Sequence, residues 1–181
     1  FEMTFGVNHL SYFAVAMHLL PALRAAGEAR IVNVSSEAHR QARTGLPWDD
    51  LQHERSYSGM LVYSQSKLAN ILFTRELARR LDGSGVTANS LHPGVIASGF
   101  GSNDRGYVAV FYRLFGWALT SPEKGARTSI HLAAAPDVKG VSGEYFSASK
   151  VKKPSVAAQD DEAARRLWDL SEELTGLPWS V

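Results

Sequence analysis

Apolar residues recur at helical spacing from Phe5 to Leu23 (Phe5, Leu10, Phe13, Met17, Leu20, Leu23), and Gly27 stands just past the last of them. A stripe of that period lies along one side of a helix, and a glycine beyond it marks the stop, so one long helix is predicted. Arg30-Ile31-Val32-Asn33-Val34-Ser35 is short and β-branched and reads as a buried strand. Residues 37–59 are polar and carry Gly45-Leu46-Pro47, which predicts a long excursion outside the core. Excursions of this length inside a compact domain are usually functional. The helical period returns from Tyr63 to Leu81, with Leu68, Ile71, Leu72, Ala78 and Leu81 inward and Arg75, Glu76, Arg79 and Arg80 toward solvent.

Gly83-Ser84-Gly85 turns the chain into a strand from Val86 to Leu91, which ends at His92-Pro93-Gly94. Strand, helix and strand in succession form a βαβ unit, so the two strands should run parallel and the fold should be α/β. Residues 99–119 mix glycines with Phe100, Tyr107, Phe111, Tyr112, Phe115 and Trp117, a pattern equally suited to a packed amphipathic helix or to a lid over a lipophilic substrate. Ser121-Pro122 supplies an N-cap followed by proline at the first helical position, opening a helix to about Ala134. Gly143-Glu144-Tyr145-Phe146 predicts a last strand, and Asp160 to Leu174 a last helix.

The 181 residues suit one domain, and 45% hydrophobic with 20% charged content is that of an ordinary packed core. A formal charge of +1, with basic residues only in short pairs such as Arg79-Arg80, argues against nucleic acid as a partner. The absence of cysteine excludes disulfides, thiol catalysis and thiolate metal sites. The six histidines show no metal-ligand spacing, so no metal is expected. No apolar run reaches the eighteen or so residues of a membrane helix. A soluble, cytoplasmic protein is the expectation.

Chemistry enters with Tyr63-Ser64-Gln65-Ser66-Lys67, where a phenol and an amine four residues apart leave the same helix face. A free phenol, with a pKa of about 10, is a poor base at neutral pH. One positive charge at about 4 Å, in an effective dielectric of about 20, is worth about 4 kcal/mol, enough to make a phenol a usable acid and base. A hydroxyl from Ser36 beside the pair would hold a carbonyl or alcohol oxygen while Tyr63 exchanges the proton. In parallel α/β sheets ligands sit beyond the carboxyl ends of the strands, and Ser36, Tyr63 and His92-Pro93-Gly94 all fall on that edge.

With these residues in place the chain resembles the short-chain dehydrogenase/reductase family, and within it the retinol dehydrogenase-like group. The resemblance rests on Phe5-Gly6-Val7-Asn8-His9-Leu10, Arg30 to Ser36, Tyr63 to Asn70 and Asn89-Ser90-Leu91-His92-Pro93-Gly94, four segments in order. It implies the C-terminal portion of a Rossmann-like, doubly wound parallel sheet. It further implies Tyr63 as proton donor and acceptor, and Lys67 as the group that tunes it and bonds the cofactor ribose. Ser36 would orient the substrate oxygen and Asn8 would hold a proton-relay water. Pro93, Gly94, Val95 and Ser98 would lie against the nicotinamide. The implied reaction is hydride transfer between NAD or NADP and an alcohol or carbonyl carbon of a moderately apolar small molecule, in a homodimer or tetramer.

The family's glycine-rich phosphate loop and its Asn-Asn-Ala-Gly strand end would precede Phe1, so residues 1–181 are expected to form a single, N-terminally incomplete Rossmann domain. Gly83-Ser84-Gly85-Val86-Thr87-Ala88 fits Gly-x-Gly-x-x-Ala in letters but precedes a strand, and is read as a turn. The competing reading is a non-catalytic family remnant whose long helices serve as a dimerisation or binding module. Asn33-Val34-Ser35 matches a glycosylation sequon inside a strand predicted to be buried, and is discounted.

Overall fold

Side chains alternate across a strand, and here both faces find a core. The computed structural model describes residues 1–94 and 121–179. Ile31, Val86 and Ala88 pack with Phe13, Leu20, Phe73, Leu77 and Trp168, whereas Val32, Leu91 and Phe146 pack with Leu132 and Val138. The sheet order is β1-β2-β3-β4. Strand β1 (Ala29–Val34) runs parallel to β2 (Val86–His92), with Ala29 opposite Val86 and Val34 opposite Leu91. β2 runs parallel to β3 (Tyr145–Ser147), which turns back antiparallel onto β4 (Lys150–Val151). The α/β expectation therefore holds, with an edge hairpin that makes the sheet mixed.

That hairpin is missing from the sequence reading. Its turn residues Ala148 and Ser149 both have positive φ, 51° and 59°, as a two-residue hairpin requires. The usual marker of such a turn, glycine or asparagine, is absent, and Ser149 N–H donates instead to Thr128 Oγ1 at 3.1 Å, a partner distant in the chain.

The predicted first helix is in three parts: α1 (Met3–Phe5), a π-helical turn (Gly6–Leu10) and α2 (Ser11–Ala25). Ser11 N–H reaches the Gly6 carbonyl, five residues back. The turn buries His9 and Leu10, and the His9 ring lies 5.1 Å from that of Phe5. Gly27, with φ of 73°, ends the run.

Helix α3 (Gly59–Arg80) begins one turn before the predicted start, so Tyr63 lies in its second turn. It is buried on almost every side. Glu76, expected to face solvent, is 6% exposed and accepts from Arg79 at 2.9 Å and Arg80 at 2.8 Å. Arg75 and Arg79 both reach Asp161 of α5 (Asp161–Thr175), at 2.9 and 2.8 Å. Arg79 stays exposed and Arg75 and Arg80 are part-buried, so of the four residues expected to face solvent it is Glu76 that the structure buries. Residues 37–59 also correct their prediction, because Ala42 and Leu46 join the core beside Leu68 and Leu72.

Helix α4 (Pro122–Ala134) starts at Ser121, whose side chain accepts from Lys124 N–H. Arg30 Nη1 donates to the carbonyls of Leu132 and Ala135 at 3.3 and 2.8 Å, a cation placed on the negative end of that helix. Gly83 and Gly85 form a turn, as the sequence reading has it, with φ of 73° and 79°. Asn33 is buried and donates to Thr74 at 2.9 Å.

Candidate functional site

Where β1 ends, its last carbonyl becomes an acceptor for α3. Lys67 Nζ donates to the Val34 carbonyl at 3.3 Å, and Asn70 Nδ2 donates to the same oxygen at 3.1 Å. In the opposite sense, Ser35 Oγ donates to the Lys67 carbonyl at 2.7 Å. These bonds fix α3 to the strand end, and the four-residue spacing then puts the Lys67 ammonium 5.6 Å from the centre of the Tyr63 ring. Lys67 is 8% exposed, and burial pulls its pKa below the ordinary lysine range. An ammonium carries three donors, and among the described residues its hydrogen bond is the one to Val34.

The two serines after β1 divide their work. Ser35 is buried and spends its proton on α3. Ser36 is half-buried and caps a 3₁₀ turn (Glu37–Gln41), its Oγ accepting Ala38 N–H at 3.2 Å. A hydroxyl that accepts at the cap still has its own proton to give.

Asn8 sits in the middle of the π turn, a feature frequently found at functional sites. Its Nδ2 donates to Ser66 Oγ at 3.0 Å, and Ser66 Oγ donates to the Tyr63 carbonyl at 2.8 Å. Asn8 is thus tied to the same turn of α3 as Tyr63 and Lys67. Pro93 and Gly94, just past β2, line a cleft of about 450 Å³ with Lys124, Arg127 and Ser149. Gly94 has φ of 92°, which side chains resist, so bare backbone faces the cleft there. Val95 and Ser98, and the aromatic stretch with Phe111 and Phe115, lie outside the described residues.

Around Ser36 the structure assembles a polar cluster that sequence reasoning missed. Tyr145 Oη donates to Glu37 Oε1 at 2.9 Å, and Arg40 Nε donates to Glu37 Oε2 at 2.7 Å. Burial works to raise the Glu37 pKa, but the bonds from Arg40 and Tyr145 outweigh it and hold the carboxyl below its usual range. Burial first, then the Glu37 bond, pushes the Tyr145 phenol well up. His39 is fully buried, its ring 5.1 Å from that of Tyr145, and burial lowers its pKa. Burial lowers the pKa of His92 as well, with Glu37 opposing. His92 Nδ1 is buried without a hydrogen bond among the described residues. The run Ser36-Glu37-Ala38-His39-Arg40 directly after a strand end was the available signal, hidden because polar letters in a loop read as solvated.

Residues 1–147 match the family model described as enoyl-(acyl carrier protein) reductase. Human retinol dehydrogenase 14 is 47% identical over 180 residues, which covers 98% of this chain and 53% of that protein. Mouse retinol dehydrogenase 12 is 44% identical over 179 residues, covering 99% and 56%. A crystal structure of an uncharacterized protein from Mycobacterium paratuberculosis superposes with a TM-score of 0.72 at 32% identity, covering 98% of this chain and 60% of that one. The chain spans about half the length of the curated relatives it matches. Four ordered segments, a mostly parallel sheet packed on both faces and a match over most of its length place this chain in the short-chain dehydrogenase/reductase family.

Proposed function

We propose that this protein is an NAD(P)-dependent oxidoreductase that interconverts an alcohol and a carbonyl on a moderately apolar small molecule, with Tyr63 as general acid and base. The observation that carries the reading is the buried Lys67 ammonium, held between the Val34 carbonyl and the Tyr63 ring at the carboxyl end of the sheet. That ammonium stands over the ring of the residue proposed to exchange the proton, one helical turn along the same face of α3. In the reducing direction Tyr63 Oη gives a proton to the substrate oxygen while Ser36 Oγ–H bonds that oxygen; in the oxidising direction Tyr63 takes the proton back. Asn8, anchored on Ser66, would hold the water that returns the proton to bulk solvent.

The residues fit a nicotinamide cofactor. Lys67 has donors to spare for ribose hydroxyls, and the Pro93-Gly94 backbone, continuing into Val95 and Ser98, would meet the nicotinamide. The cofactor, when bound, supplies the hydride, and the protein places it and moves the proton. The relatives are named for retinol, an apolar alcohol, which supports an apolar substrate here. The protein is further read as a homodimer or tetramer, because Met3 of α1, Val7 of the π turn, and Val15 and Leu19 of α2 are exposed apolar residues, the last two four apart on one helix face.

Replacing Tyr63 with Phe removes only the hydroxyl. Turnover with NADH or NADPH and an apolar aldehyde should fall by roughly 10²–10⁴-fold while circular dichroism shows the fold retained. A variant that keeps its rate would overturn the assignment.

A further inference from the structure

The geometry points to His39 as the positioning residue of the Ser36 hydroxyl: a neutral imidazole wedged between the Ser36 carbonyl and the Ser155 amide, which holds the strand end in the shape the reaction needs. The inference rests on the reading of Ser36 as the group that orients the substrate oxygen.

Two bonds settle the proton on the ring. His39 Nε2 lies 3.1 Å from Ser155 N, a backbone N–H that only donates, so Nε2 accepts. Nδ1 therefore carries the proton and donates to the Ser36 carbonyl at 2.6 Å. Both ring nitrogens are spent on main chain, in a residue with no exposed surface, and burial keeps the ring uncharged. Protonation would turn Nε2 against the Ser155 N–H, so the strut works only in its neutral form.

The consequence falls on Ser36. Its backbone is extended, with φ of −155° and ψ of 152°, and the turn after it begins when Ser36 Oγ accepts Ala38 N–H and the Ser36 carbonyl accepts His39 N–H at 3.1 Å. The imidazole adds a second bond to that same carbonyl. With the Ser36 carbonyl held by two donors of His39, the cap bond persists, and the hydroxyl keeps its direction. A parallel tether runs from Arg40 Nη2 to the Lys153 carbonyl at 2.8 Å, so the strand end is braced against residues 153–155 at two points.

Two substitutions separate the strut from general packing. His39→Asn keeps an N–H at the position of Nδ1, whereas His39→Gln carries its amide one atom further out, near Nε2. In His39→Gln, kcat should fall at least tenfold with KM for the nicotinamide cofactor changed by less than about twofold, and His39→Asn should recover to within about threefold of the parent. Amide hydrogen exchange gives a readout independent of turnover: protection of Ala38 N–H should drop about tenfold in His39→Gln and return in His39→Asn. Equal losses in the two variants, or unchanged Ala38 protection in His39→Gln, would overturn the proposal. If the parent itself turns over no substrate while Ala38 protection follows the stated pattern, the oxidoreductase reading fails and the strut stands.

Discussion

Single residues in this fold are constrained in ways that their type alone does not disclose. Gly83 and Gly85 share a backbone conformation, with φ of 73° and 79°, yet their surroundings differ. A Cβ on Gly83 would meet nothing within 4 Å, whereas one on Gly85 would sit 2.1 Å from the Gly27 carbonyl oxygen. Gly83→Ala therefore carries only the left-handed penalty, about 1 kcal/mol. Gly85→Ala also forces two turns apart, and its cost should exceed that of Gly83→Ala by at least about 2 kcal/mol in chemical denaturation. Equal midpoints would show that the Gly27–Gly85 approach relaxes freely. The same contrast separates Ser35 from Ser36, two identical side chains of which one is spent on α3 and the other is presented at the strand end.

At the scale of elements, α3 shows how a polar sequence becomes a central helix. Ser64, Ser66 and Thr74 return their hydroxyl protons to the carbonyls of Met60, Tyr63 and Asn70, so each is buried without an unmet donor. Lys67 and Asn70 converge on Val34, and Glu76 is clamped by two arginines. Helix α2 takes the opposite course and leaves an apolar face exposed, with Val15 at 57% and Leu19 at 52%. Ridges at four-residue spacing pack against their own copies, which is why a second copy is the proposed occupant. If that second copy is the cover, Val15→Glu with Leu19→Glu should lower the sedimentation coefficient to that of a monomer without changing the circular dichroism of the fold. An unchanged sedimentation coefficient would assign the face to some other cover.

For the molecule as a whole, His9 ties stability to pH. It has no exposed surface, and its Nε2 donates to Ser171 Oγ at 2.8 Å, because that hydroxyl gives its own proton to Leu167. Burial drives its pKa from 6.5 to about 3, with the Asn70 side chain pulling weakly the other way. The unfolded chain takes up a proton near pH 6.5 that the folded chain refuses until about pH 3. Stability is therefore whole above pH 6.5 and falls as the pH drops, by up to about 1.4 kcal/mol per unit. Between pH 7 and 5 His9 alone should account for a loss of about 2 kcal/mol, and His39 and His92, also shifted down by burial, add to it. The loss between those two pH values should shrink by that amount in His9→Gln; an equal loss in both proteins would show that His9 is not the acid-sensitive group. Among the described residues no helix is long and apolar enough to cross a membrane.

Periodicity determined the elements of this protein: the stripe to Leu23, the β-branched run at Arg30, the helix around Tyr63 and the Ser121 and Asp160 caps all depend on neighbours a few residues apart. The pair Tyr63 and Lys67 was legible for the same reason, since one helical turn brings them together whatever surrounds the helix. Tertiary structure alone decided what those elements meet. The Val34 carbonyl that receives Lys67, the Ser155 amide that receives His39 and the Asp161 carboxylate that receives Arg75 and Arg79 are 33, 116 and more than 80 residues distant in the chain. Partners so far apart leave no period in the sequence, and a buried donor is satisfied only by the acceptor that the folded chain brings to it.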